Sequence, residues 1–167
     1  GLAAFKQNSA FSTEAGLKYF ILGAFSSGLL LLGASLIYGF SGTINFEELT
    51  IFCSSLDSIS PGICLGILCL ISALLFKISA APFHAWAPDT YEGAPMAVTA
   101  FFSIVPKFAV IIFCCRFFFF SFYELFNIWQ PIIICSALIS IIVATFSALY
   151  QRKLKRFLAY SSIGHVG

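Results

Sequence analysis

Charge is what this chain has least of. Lys, Arg, Asp and Glu make up 10% of its 167 residues, against roughly 25% in a soluble globular domain. Too few charges remain to solvate a surface of this size, which excludes a soluble fold. Clustered cysteines are missing as well. The six cysteines (Cys53, Cys64, Cys69, Cys114, Cys115, Cys135) form no CxxC, and all but Cys53, placed in a loop, fall inside apolar runs. A disulfide framework or zinc site needs clustered, accessible thiols, so these read as small buried side chains. No GxGxxG occurs, which leaves nucleotide chemistry without its phosphate cradle. No basic n-region with a small-residue cleavage site follows Gly1, so the start does not read as a secretory signal.

What the chain does have is apolar length. Hydrophobic residues reach 60% and mean hydropathy +0.99, the composition of an integral membrane protein. A spanning helix needs roughly 20 apolar residues. Stretches at about 17–38, 62–87, 96–120 and 129–150 qualify, the second broken at Pro82, and a further apolar run starts at 157–167. The expected fold is an all-α polytopic transmembrane bundle forming a single membrane domain over 1–167. Ser12 or Thr13 is placed to cap the first span, with Glu14 in its first turn, and Pro95 and Pro131 sit where helix starts tolerate proline. The opening glycine and the short final run suggest a piece of a larger membrane protein. The run Phe117–Phe120, among 21 phenylalanines, reads as lipid-facing bulk.

The charges that exist are sorted by side. Four crossings put Lys6 and the group Arg152, Lys153, Lys155 and Arg156 together, with Glu47, Glu48, Asp57 and Glu124 opposite. The positive-inside rule then assigns Lys6 and Arg152–Arg156 to the cytoplasmic or matrix side. A short basic run beside an apolar segment is a topology signal, and no nucleic-acid partner is expected. The acidic stretch Asp89–Glu92 falls on the basic side as a short loop.

Two lysines lie far from any interface. Lys107 stands eleven residues into its apolar stretch, ~16 Å from the helix end at the usual rise and beyond the reach of a snorkelling stem. Lys77 is similarly deep in the stretch that starts at Gly62. A central lysine costs about 2.5–3.5 kcal/mol on insertion scales, and neither has an acid at its own depth. One reading is a buried pairing that only holds helices together. The other is a proton relay, because desolvation makes an ammonium easier to deprotonate. Each lysine adjoins a helix break: Pro82 cannot donate to the Ile78 carbonyl, nor Pro106 to that of Phe102. Freed carbonyls inside a bilayer are tolerated where protein or water satisfies them. His84, two residues past Pro82, could pass protons or simply be a hydrogen-bonded structural histidine. Glu14 and Lys18 have the spacing and order of an i,i+4 ion pair, structural or functional. Trp86 and Tyr91 read as interface anchors, and Arg116 as a snorkelling residue.

The stretches STEAGLKYFILGAFSSGLLLLG, FKISAAPFHAWAPDTYEGAP, VTAFFSIVPK and KRFLAYSSIGHVG resemble consecutive signatures of the chain 2 family of NADH–ubiquinone oxidoreductases. These are antiporter-like subunits in the membrane arm of respiratory complex I. PFHxWxPD is shared with the related antiporter-like chains and Mrp-type antiporters, whereas YEGAP and VPK favour chain 2. The resemblance places Lys77 on the family's broken seventh helix, Lys107 on its eighth, and Lys18, with Glu14 one turn before it, on its sixth. It places His165 in the SSxxHxG motif. Ala97 replaces a common proline. The family's fifth-helix glutamate and twelfth-helix lysine have no counterpart here, so a separate polypeptide or a missing segment is expected to supply them.

The resemblance therefore implies a proton-translocating membrane-arm subunit with Lys77, Lys107, Lys18, Glu14, His84 and His165 as a relay and Pro82 and Pro106 as helix breaks. It implies no cofactor on this chain, with FMN, Fe–S clusters and quinone on partner subunits, and other membrane-arm subunits and lipid as partners. The expected location is the mitochondrial inner membrane, or a bacterial or chloroplast energy-converting membrane. An Mrp-type cation/proton antiporter subunit and a purely structural scaffold remain the alternatives.

Overall fold

The computed structural model describes residues 2–4, 10–55 and 59–167, and all regular structure among them is helical. Lys6 and Asp57 lie outside the described residues. The elements run α1 (Ala10–Ser41), α2 (Phe46–Ser54), α3 (Pro61–Lys77), α4 (Trp86–Gly93), α5 (Met96–Arg116), α6 (Phe126–Leu149) and α7 (Leu154–Val166). Three helical stretches, Ala10–Ser41, Met96–Ser121 and Tyr123–Leu149, are long and apolar enough to cross a membrane, and α3 is a shorter apolar helix. The all-α membrane bundle expected from composition is the observed architecture.

Local chemistry explains most of the ends. Asn45 caps α2 by accepting the Glu47 N–H at 3.1 Å, and Glu47 and Glu48 sit in the first turn, where the dipole favours acids. Ser60 caps α3 with Pro61 in its first turn. α5 does not stop at Arg116 but widens into a π-turn over Phe117–Ser121. The Phe120 carbonyl in that turn accepts the Thr50 hydroxyl at 3.1 Å, which ties it to α2.

Several elements differ from the sequence expectation. The 39–61 loop contains α2, and Cys53 is buried on that helix rather than lying in a loop. Its nine residues are too short a run to stand out by periodicity. Ser12 and Thr13 lie inside α1, which begins at Ala10, and Pro131 lies inside α6. Residues 89–92 belong to α4 rather than to a loop. Of the phenylalanine run, Phe119 and Phe120 face outward but Phe117 and Phe118 pack into the core with Phe122 and Trp129.

The interrupted helix is where the fold is most specific. α3 ends at Lys77, five residues before Pro82, and the chain turns through 78–85 before α4. Several of the groups freed by this turn find partners inside the protein. The Ile78 carbonyl, which Pro82 cannot serve, accepts the Ser79 hydroxyl at 2.6 Å. The Ala81 N–H donates to Ser140 Oγ at 2.8 Å, and the Ala81 carbonyl accepts Ser136 Oγ at 2.6 Å. Ser136 and Ser140, one turn apart on α6, thus hold both sides of one peptide position. Trp86 closes the turn by donating from Nε1 to the Phe76 carbonyl at 3.0 Å.

α1 and α3 cross where two glycines meet. A Cβ on Gly33 would stand 2.8 Å from the Gly66 carbonyl oxygen, closer than atoms pack. Small residues at such crossings let backbones approach when no hydrophobic force drives helices together in lipid. Gly33→Ala is expected to destabilise the fold by ~1–3 kcal/mol through overpacking. Gly23→Ala on the same helix, with nothing within 4 Å of its added Cβ, is expected to be neutral or slightly stabilising. Thermal unfolding of the detergent-solubilised assembly checks the contrast; equal behaviour of the two variants would sink it.

Candidate functional site

Two polar assemblies stand out, one between α1, α4 and α7 and one between α4, α5 and α7. In the first, Lys18 Nζ lies 2.6 Å from Glu14 Oε1, the i,i+4 pair expected from spacing, and 2.7 Å from Asp89 Oδ2. Asp89 reaches the other way to Arg156 Nη2 at 2.5 Å. Glu92 extends the group: Arg156 Nε stands 3.2 Å from its Oε2, as an ion pair rather than an aligned hydrogen bond, and Lys153 pairs with its other oxygen. Lys155 Nζ donates to the Ala94 carbonyl at 2.8 Å. The basic run is therefore more than a topology signal, because two of its members grip α4 and a third grips the residue that caps it.

The motif YEGAP acquires a part-by-part explanation. Tyr91 is buried, Glu92 carries the ion pairs, and Ala94 offers its carbonyl to Lys155. Gly93 passes so close to α1 that a Cβ there would lie 2.7 Å from the Phe11 carbonyl oxygen. Pro95 then sits at the N-cap of α5, where its missing N–H costs nothing.

The second assembly surrounds Lys107, which is 5% exposed. Its Nζ donates to Ser162 Oγ at 2.6 Å, and it stands 6.0 Å from the centre of the Tyr91 ring. Among the described residues no carboxylate lies within ion-pair distance of it. Tyr91 donates its hydroxyl to the Phe102 carbonyl at 3.3 Å, the acceptor that Pro106 leaves without its helical donor. Lys107, Tyr91, Ser162, Ser103 and Thr99 line a cavity of about 490 Å³ together with His165 on α7.

The remaining candidates are placed apart. Lys77, the last residue of α3, points to the outside of the described fold, without an ion-pair partner among the described residues. His84 is half-buried on the turn between α3 and α4, and its Nδ1 is buried without a hydrogen-bond partner. So the structure joins Lys18 to Glu14 and brings Lys107 and His165 to one cavity, but it does not link these groups to Lys77 or His84. Sequence reasoning missed Asp89, Tyr91 and Ser162. Trp86 and Tyr91 are buried, at 5% and 1% exposure, rather than anchored at an interface. The signal that could have found Tyr91 was the orphaned Phe102 carbonyl, which demands a donor.

Comparison with known proteins gives the chain a family context. Residues 1–167 match the family model described as "NADH:quinone oxidoreductase/Mrp antiporter, TM". The chain is 53% identical over 171 residues to NADH-ubiquinone oxidoreductase chain 2 of Marchantia polymorpha, covering 99% of this chain and 35% of the relative. It is 49% identical over 166 residues to NADH-quinone oxidoreductase subunit N of Rhodospirillum rubrum, covering 99% and 34%. Among solved structures, a chain of respiratory complex I from Thermus thermophilus aligns with a TM-score of 0.77 at 32% identity, over 99% of this chain and 35% of that one. A chain of the Mrp complex from a Dietzia species, at 22% identity and a TM-score of 0.87 over 99% of this chain and 31% of that one, shares the fold. The chain spans about a third of the length of the curated relatives it matches.

The interface cluster carries its own pH signature. Burial of Asp89 acts to raise its pKa, but the hydrogen bond and charge of Lys18 and the charge of Arg156 outweigh that and hold it below the usual value of 3.8. A depressed folded pKa gives stability that is complete above the unfolded value and is lost as pH falls through the folded one. Asp89→Asn is expected to lower thermal stability at neutral pH and to flatten the loss of stability below about pH 4. Melting profiles from pH 7 down to pH 2 in detergent check this; an unchanged acid limb would show that the bridge contributes nothing.

Proposed function

This chain belongs to the NADH:quinone oxidoreductase/Mrp antiporter transmembrane family, and on that footing we propose that it is a proton-translocating membrane-arm subunit of respiratory complex I. It serves as a subunit of proton-translocating NADH:ubiquinone reductase and carries proton movement coupled to quinone reduction elsewhere in the complex. Relatives about 50% identical bear the name of that oxidoreductase, which favours this reading over an Mrp-type antiporter, whose likeness is one of fold. The NADH, flavin, iron–sulfur and quinone chemistry belongs to partner subunits, consistent with a sequence that has no CxxC and no GxGxxG. Other membrane-arm subunits and lipid surround the chain, in the mitochondrial inner membrane or its bacterial counterpart. The basic cluster Arg152–Arg156 marks the matrix or cytoplasmic side.

Within this reading Lys77, Lys107, Lys18, Glu14, His84 and His165 form the relay, with Pro82 and Pro106 as the breaks that admit it. The single observation that carries it is the Lys107 site. A buried lysine hydrogen-bonded to a hydroxyl, beside a cavity shared with a histidine, has no carboxylate among the described residues to hold its charge in place. Around Lys18, by contrast, two acids share one ammonium. Space of about 490 Å³ accommodates several waters at ~30 Å³ each, enough to continue a proton path.

Lys107→Ala in the assembled complex is expected to cut NADH-driven proton translocation by ~10²-fold, the low end of what a positioned proton-transfer group contributes. Translocation is read as dye quenching in inverted membrane vesicles, normalised to assembled complex on native gels. Parental translocation by a fully assembled variant would overturn the relay and leave the scaffold reading.

A further inference from the structure

Two hydroxyls stand beside Lys107. Lys107 Nζ donates to Ser162 Oγ at 2.6 Å. Tyr91 donates its own hydrogen to the Phe102 carbonyl, the group freed by Pro106. An ammonium has only hydrogens to give and a backbone carbonyl only lone pairs to accept them. Ser162 must therefore present its oxygen to Lys107, while the Tyr91 hydrogen is committed to a carbonyl that cannot carry a proton away.

Ser162 has a second direction available. It lines the cavity that His165, three residues on along α7, also lines. A serine hydroxyl rotates freely about its C–O bond, so its hydrogen can point to cavity water without moving the oxygen from Lys107. We propose that Ser162 is the first proton acceptor for Lys107 and releases its own hydroxyl proton into the cavity that His165 shares. In the transfer a Lys107 N–H bond breaks as a new Ser162 O–H bond forms, and the original Ser162 hydroxyl proton passes to water and on to the His165 imidazole. Lys107 is left neutral, His165 gains the proton, and no electrons change hands. The inference rests on the relay reading of Lys107 given above.

The test compares Ser162→Ala, Ser162→Thr and Ser162→Cys with Lys107→Ala in the assembled membrane complex. Translocation rates in water and in heavy water are normalised to assembled complex. Ser162→Ala is expected to slow translocation about 10-fold, as one lost hydrogen-bonded step does, and to enlarge the solvent isotope effect. Ser162→Thr, which keeps the hydroxyl, is expected to stay within about twofold of the parent, and Ser162→Cys, a weaker donor and acceptor, to fall between. If the alanine variant fails to assemble, the threonine–cysteine difference and its isotope effect still decide. Parental rates in both Ser162→Ala and Ser162→Cys, with Lys107→Ala inactive, would overturn the Ser162 step while leaving the relay standing. Equal losses in Ser162→Thr and Ser162→Ala would also overturn it, since shape rather than the hydroxyl would then matter. Parental translocation by Lys107→Ala would bring down the relay reading itself.

Discussion

Hydrocarbon offers no hydrogen-bond partner, so every backbone group released by an interrupted helix has to be satisfied by protein or by enclosed water. The rest of this structure follows from how that demand is met at two prolines. At the first, Ser136 and Ser140 on α6 and Ser79 on the turn itself take up the freed groups between α3 and α4. At the second, a phenol from α4 reaches the carbonyl that Pro106 leaves on α5. Each solution pulls a distant element into place. The serines hold α6 to the break, and Tyr91 brings the end of α4 against α5 beside Lys107. Polar atoms are thus concentrated around the breaks because the breaks require them.

The ion cluster does the same work at the edge of the apolar zone. Asp89 bridges Lys18 of α1 and Arg156 of α7, and Glu92 adds a second grip on α7. Individually such half-exposed pairs contribute little, because solvent screens them. Their arrangement counts for more than their energy, because all three helices meet on one short segment. That segment carries Tyr91, and α7 carries Ser162 and His165. The geometry of the buried site is accordingly set by helices that the ion pairs fix within about two turns of it.

How much of this was legible in the sequence depended on cost. Lys107 stood out because a deep lysine is expensive and therefore conspicuous, and Pro106 beside it pointed to an unsatisfied carbonyl. The all-helical bundle followed from apolar run lengths alone. Asp89 did not stand out, since an acid near an interface is cheap and its partners lie 67 and 71 residues away in sequence. Ser162 was invisible for the same reason: one serine in a helix carries no penalty that asks for an explanation. The end of α3 at Lys77 was missed because the turn that follows, 78–81, is buried and apolar but for Ser79, so the apolar run continues past the point where the helix stops. Tyr91 was misread because tyrosines near helix ends so often sit at the bilayer interface.

The two best-placed lysines of the proposed relay sit in opposite surroundings. Lys18 is shared by Glu14 and Asp89, and Asp89 has Arg156 as a second counterion. Through Asp89 the Lys18 ammonium also ties α1 to α4. Lys107 faces hydroxyls and a ring instead, and neutralising it leaves no stranded anion among the described residues. Ser162 can accept a hydrogen bond from the ammonium or donate one to the neutral amine, so its partner tolerates both states. A site whose partner serves either protonation state strands no hydrogen-bonding group when the proton leaves or returns, and that is what a proton-carrying group needs in order to load and unload repeatedly.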